Sequence, residues 1–243
     1  MKKPTTQSLI AAALALGMLV ARPAPAAEHF IFVPPDASAL EARALVSNAC
    51  SKCHGPTGNG ISISPLFPIL AAQQETYLEL QLRQLRQRER GDPHARAFMW
   101  GISKALSDEQ IEGVAQYFSS QPAAPSPPPP DAALVEKGKQ IYESPLQLES
   151  GAVNCANCHG LQGQGKSKQA IPRLAGQHPD YLNLQVHYYR WDLRHSAIMN
   201  QVSAALTEDQ IAAVTRYVAS LTPSPSSSPA PSSSAEPSSS TEP

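Results

Sequence analysis

The sequence predicts an all-α protein of two tandem domains, each of about three main helices. Three observations carry this: a segment repeated about 100 positions further on, apolar residues at helical spacing inside both copies, and no convincing alternating strand pattern. The chain has 243 residues and a formal charge of -1, so it lacks the basic footprint of a nucleic-acid binder. Its 42% apolar and 6% aromatic content, divided over two small domains, makes a thin core from side chains alone. Something other than side chains is expected to fill it.

The first 27 residues read as a secretory signal peptide: Lys2 and Lys3, an apolar run from Leu9 to Ala21, then small residues at Ala24, Ala26 and Ala27. That run is too short to span a bilayer, and no later segment is apolar enough. The mature chain is therefore expected in the periplasm, without a transmembrane segment after cleavage, though compatible with peripheral membrane association. Cleavage removes three basic residues and leaves 16 basic against 20 acidic side chains, a charge of -4.

Opening helices are expected from near Asp36 and Asp131, each running toward a cysteine pair. Middle helices follow from Leu78, Leu82 and Leu85 in the first domain and Leu182, Val186 and Tyr189 in the second, both spaced i, i+4, i+7. Ser107-x-x-Gln110 and Thr207-x-x-Gln210 are capping-box starts of closing helices whose apolar faces are Ile111, Val114, Phe118 and Ile211, Val214, Val218. Twelve of the 24 prolines fall in two stretches, six in 122–130 and six after Leu221. Neither stretch has apolar residues to offset the entropy of ordering, so 122–130 reads as a stiff linker and 222–243 as a disordered tail. The domains are then 28–121 and 131–221.

The two domains are one unit written twice. Cys50-Ser-Lys-Cys53-His54-Gly55 recurs as Cys155-Ala-Asn-Cys158-His159-Gly160 at an offset of 105. Pro68, Leu70, Tyr77 and Gln81 match Pro172, Leu174, Tyr181 and Gln185 at 104, and residues 99–118 match 199–218 at 100 with 8 of 20 identical. The changes of offset are expected in loops, which tolerate insertion.

In an exported chain a Cys-x-x-Cys pair competes among a disulfide, structural zinc and covalent haem. Zinc wants four ligands and each motif supplies three; a thioredoxin-like pair would follow a strand, and none precedes either motif. The histidine directly after the second cysteine, present in both copies, points to c-type haem attachment. Two thiols three positions apart on one turn can each add across a haem vinyl group, and the next residue offers its imidazole to the iron. Cys50, Cys53, Cys155 and Cys158 are thus the expected thioether positions of two covalent haems, with His54 and His159 as proximal ligands. Met1 and Met18 leave with the signal peptide, so Met99 and Met199, equivalent in the duplication, are the expected distal ligands. His94, His187 and His195 are competitors, whereas His29 and His178 read as ordinary surface residues. Histidine and methionine together fill both axial positions, which suits electron transfer. Pro68 and Pro172 are candidates to accept the proximal imidazole N–H. Arginines at 83, 86, 88, 90, 96, 190 and 194 form either a solvated face or partners for haem propionates.

These motifs resemble the two-haem cytochrome c4 family: two Cys-x-x-Cys-His-Gly-x-x-Gly-x-Gly runs, each followed by a Pro-x-Leu-Ala stretch, a Gln-rich helix with Tyr77 or Tyr181, a methionine, and a closing helix with Tyr117 or Tyr217. Arg90 to Pro93 is similar to that family's loop before the methionine. The second copy departs by lacking four residues before Met199, and the first by placing Ala72 where the second has Gly176. The resemblance implies two class I cytochrome c domains packed through a pseudo-twofold interface, and a non-enzymatic periplasmic electron carrier feeding a terminal oxidase, with a quinol-oxidising complex as a further partner. The alternatives are the cytochrome subunit of a dehydrogenase acting on a sulfur compound, alcohol or nitrogen compound, and a two-haem peroxidase, which the paired methionines disfavour.

Overall fold

In body 1 the chain enters as helix α1 (Ala37–Leu45), which continues through a wider π-helical turn, Val46–Cys50, into a last turn α2 (Ser51–His54). The computed structural model describes residues 37–60, 64–124 and 131–223. The signal peptide, Asp36, most of the linker and nearly all of the tail lie outside the described residues. Gly55, with φ of 76°, ends α2 and turns the chain away. Helix α3 (Glu75–Arg86), a π-helical turn Ala95–Met99 running into α4 (Trp100–Lys104), and α5 (Asp108–Ser119) complete the body.

Body 2 repeats the plan with α6 (Ala132–Glu143), α7 (Cys155–His159), α8 (Pro179–Arg190), α9 (Ala197–Ala205) and α10 (Glu208–Ser220). Asp131 caps α6, its side chain accepting from the Leu134 N–H at 3.0 Å. Both predicted capping boxes form: Ser107 and Gln110 exchange hydrogen bonds at 3.2 and 3.0 Å, Thr207 and Gln210 at 3.3 and 2.8 Å.

Two expectations are corrected. A small antiparallel hairpin exists in body 2, β1 (Leu146–Leu148) paired with β2 (Gly151–Val153), in the register Leu146 to Val153. Three residues per strand are too few to produce a readable alternation. The four-residue change of offset before the methionines is not a loop insertion either. Asp92 accepts from Ala95 N at 2.9 Å and starts the helical run that reaches Met99, while Ser196 caps α9 through Met199 N at 3.3 Å. Body 1 therefore spends one additional helical turn, about 3.6 residues, between cap and methionine.

Each body has its own core. Val46, Leu78, Val114, Ala115 and Phe118 form one cluster; Tyr142, Ala156, Leu182, Val214, Tyr217 and Val218 form the other. A further cluster in body 2, Val202, Leu206 and Ile211, packs against the hairpin's Leu146, Leu148 and Val153 and against Met199. The opening and closing helices cross at a small residue in each body. Gly113 of α5 meets Ala42 of α1, and Gly138 of α6 meets Ala213 of α10.

All described residues belong to one unit, Pro35–Pro243, and the two bodies meet through reciprocal bonds. The Gln73 side chain donates to Arg173 O at 2.9 Å and accepts from Arg173 N at 2.7 Å. The Gln177 side chain donates to Ile69 O and accepts from Ile69 N, both at 2.9 Å. Gln73 and Gln177, like Ile69 and Arg173, are related by the offset of 104, so the interface is pseudo-twofold, as the family resemblance implies.

Candidate cofactor sites

A cavity of about 600 Å³ runs through both bodies and is lined by Cys50, Cys53, His54 and Met99 from one and by Cys155, Cys158, His159 and Met199 from the other. Sequence reasoning thus named eight residues that the fold gathers into two matching sets. The local reason is the same in both: a short helical turn carries the two cysteines, and the histidine closes it just before a glycine with positive φ. No two of the four cysteines are joined in a disulfide. Burial pushes the Cys50 thiol up and the Cys155 thiol up to about 11.

Both histidines are buried, and each bonds through Nδ1 to a proline carbonyl at 3.0 Å, His54 to Pro68 and His159 to Pro172. A carbonyl oxygen only accepts, so Nδ1 carries the proton and Nε2 keeps a lone pair facing away from it. Burial lowers the pKa of both rings further than the proline bond raises it, so they stay neutral at neutral pH. A neutral imidazole with one fixed N–H and one free nitrogen is what a metal ligand requires. With two thiols on the same turn and an apolar cavity beside them, each body fits a c-type haem.

The competing histidines are otherwise engaged. His187 bonds Asn183 O and the Glu208 carboxylate and does not line the cavity; His195 lines its edge, but its Nδ1 bonds the Asp192 carboxylate. His94 does line the cavity, but its Nδ1 is 2.7 Å from Tyr188 Oη across the interface. His178 was expected at the surface; instead its Nε2 is buried beside Gly60 and burial lowers its pKa. His29 lies outside the described residues.

The arginines divide by role. Arg86 donates to Leu106 O and Asp108, and Arg190 to Leu206 O and Glu208, so equivalent clamps tie each middle helix to the start of the closing helix. Arg88 and Arg96 flank the Trp100 ring, each 5.3 Å from its centroid. Arg90 and Arg194 are buried at the interface, both donating to the side-chain oxygens of Gln81 and Gln185. Asp92, fully buried, pairs with Arg90 at 3.0 Å. Arg173, which no periodicity or motif had singled out, is a third buried guanidinium lining the cavity.

Comparison with known proteins agrees with this geometry. The cytochrome c family model matches residues 39–122 and again 135–222. Cytochrome c4 of Thiocapsa roseopersicina is 34% identical over 193 residues, covering 77% of this chain and 93% of that protein. The crystal structure of reduced recombinant cytochrome c4 from Pseudomonas stutzeri superposes with a TM-score of 0.63 at 31% identity, over 75% of this chain and 98% of that one. A thiosulfate dehydrogenase electron acceptor of Stutzerimonas stutzeri is 43% identical over 72 residues, 29% of this chain and 32% of its own.

Proposed function

Because the chain belongs to the cytochrome c4 family and is a dihaem electron-transfer cytochrome with two covalent c-type haems, we propose a periplasmic carrier that takes electrons from a quinol-oxidising complex and delivers them to a terminal oxidase. Cys50 and Cys53 hold one haem and Cys155 and Cys158 the other. His54 with Met99, and His159 with Met199, would hold the two irons. The observation that carries this reading is the matched bond from each histidine Nδ1 to a proline carbonyl, in a cavity that a methionine also lines.

When bound, each haem supplies an iron that cycles between ferric and ferrous states. The protein's residues do the rest. Pro68 and Pro172 orient the imidazoles and fix their tautomer; the apolar walls exclude water; the two methionines would keep oxygen and peroxide from the irons. The reading is a carrier without enzymatic activity because a methionine beside each histidine would leave the iron no position for a substrate. The reciprocal glutamine bonds hold the two sites in one fixed relation, so an electron entering one body can pass to the other within the molecule. Among the described residues no helix is long and apolar enough to cross a membrane.

The test is reoxidation of the reduced protein by membranes containing the oxidase, followed by stopped-flow absorbance. Rapid, oxidase-inhibitor-sensitive reoxidation supports the carrier; its absence removes the oxidase as partner. A second reading, an electron acceptor for a dehydrogenase of a sulfur compound, is favoured by the 43% match to a thiosulfate dehydrogenase electron acceptor. Reduction by such an enzyme with thiosulfate, faster than by a quinol-oxidising complex, would select it.

A further inference from the structure

Position 173 is a place where the pseudo-twofold symmetry of the interface fails in charge. Its backbone does not differ from that of its counterpart: Gln73 holds the N–H and C=O of Arg173 as Gln177 holds those of Ile69. The side chains are a guanidinium on one side and a hydrocarbon on the other. Arg173 is only 5% exposed, and it reaches across the interface to donate from Nη2 to Ala71 O at 2.5 Å. Its Nε and Nη1 are buried without a hydrogen-bond partner, and no ion pair among the described residues includes it. Burial alone pushes its pKa down to about 10, as befits a cation with no opposing charge beside it. Arg90 and Arg194 differ in their hydrogen bonds, since glutamine oxygens accept from both, and Asp92 also pairs with Arg90.

A buried guanidinium whose Nε and Nη1 N–H groups are left free, on the two edges either side of the engaged Nη2, and which lines a cofactor cavity, is suited to a charge-assisted bond to a carboxylate oxygen. The carboxylates that a haem brings into such a cavity are its propionates. Arg173 directly follows Pro172, the residue that orients His159, so it stands in the wall of body 2's site. We infer that Arg173 donates to a propionate of the body 2 haem from a guanidinium nitrogen left free at the interface and makes that haem the more readily reduced of the two. This rests on the two-haem reading. Reduction adds one electron to the iron and lowers the charge of the site by one, so a fixed cation inside a low-dielectric interface favours the ferrous form. Ile69 offers the body 1 haem no such charge.

The experiment is a redox titration of the full-length holoprotein with the two haems resolved by NMR. Arg173→Gln, which keeps a donor and loses the charge, should lower the ferrous-to-ferric ratio of the body 2 haem at fixed ambient potential by about threefold to tenfold, where tenfold corresponds to about 59 mV for one electron. Arg173→Lys should restore most of it, which packing alone would not. Ile69→Arg in the otherwise native chain should raise the ratio for the body 1 haem and narrow the separation. Unchanged potentials in Arg173→Gln with both haems attached, or a shift confined to the body 1 haem, would overturn the inference. If Arg173→Gln does not accumulate, Ile69→Arg decides alone: no rise in body 1 overturns it. A pyridine haemochrome assay giving fewer than two haems per native chain would sink the two-haem reading instead, and the two failures are thereby distinguished.

Discussion

Body 1 and body 2 reach the same site by different supports. In body 1 the first cysteine pair ends a helix that began at Ala37, and Met99 is carried by an additional turn whose exit is fixed by Ser103 Oγ on Met99 O at 2.7 Å and by Trp100 Nε1 on Arg90 O at 2.9 Å. In body 2 the opening helix stops at Glu143, a hairpin intervenes, and Asn154 starts a fresh helix for Cys155, its side chain accepting from Asn157 N at 2.7 Å. The hairpin and Met199 then pack against the same cluster of Val202, Leu206 and Ile211, and the helix that carries Met199 is one turn shorter at its start. What one body supplies with helix, the other supplies with a small sheet. The invariant parts are those tied to the cofactor: the cysteines, the histidine, the proline carbonyl and the methionine.

The comparison can be broken at the attachment residues first. Cys53→Ser and Cys158→Ser should each abolish stable attachment in one body and leave the other intact, so a pyridine haemochrome assay should report one covalent haem per chain; two would show that the bodies do not hold haem as described. The helix crossings come next. A Cβ on Gly138 would lie 2.1 Å from Ala213 O, whereas one on Gly113 would lie 3.1 Å from Ala42 Cβ. Backbone cannot yield as a methyl can, so Gly138→Ala should destabilise body 2 by about 3 kcal/mol and Gly113→Ala body 1 by less than about 1 kcal/mol, read by denaturant unfolding. Equal effects would mean that the two crossings are alike.

A smaller difference sits at the turn before each middle helix. Ala72 has φ of 50° and its counterpart Gly176 has 72°, and their N–H groups bond Phe118 O and Val218 O. A left-handed backbone costs a residue with a Cβ about 1 kcal/mol, so Ala72→Gly should stabilise body 1 and Gly176→Ala destabilise body 2 by about that amount. Thermal melts of the two variants, moving in opposite directions, would sharpen the comparison; movement in the same direction would contradict it.

Much of this was legible in the sequence. The duplication fixed the helix order, Ser107 and Thr207 marked helix starts that form as capping boxes, and the spacing of Cys50, Cys53 and His54 pointed to haem before any geometry. Pro68 and Pro172 were readable as carbonyl acceptors for the histidine N–H groups only because both recurred. The hairpin escaped because two strands of three residues carry no period. The buried faces of the middle helices were displaced from the expected stripe, because Gln81 and Gln185, polar by type, face the interface and satisfy two arginines. Arg173 and His178 escaped for a related reason: burial between two domains is a property of docking, and a single charged or polar residue does not announce it. Its one sequence-level trace was the mismatch with Ile69 in an otherwise repeated Pro-x-Leu-Ala stretch.

The claim on which the account turns is that Met99 and Met199 complete the two iron sites. Near-infrared absorption of the ferric protein tests it directly, through the weak sulfur-to-iron band that methionine ligation produces. Met99→Ala and Met199→Ala should each remove about half of that band and lower the potential of one haem, and the double variant should remove all of it. Full band intensity in both single variants would contradict the assignment.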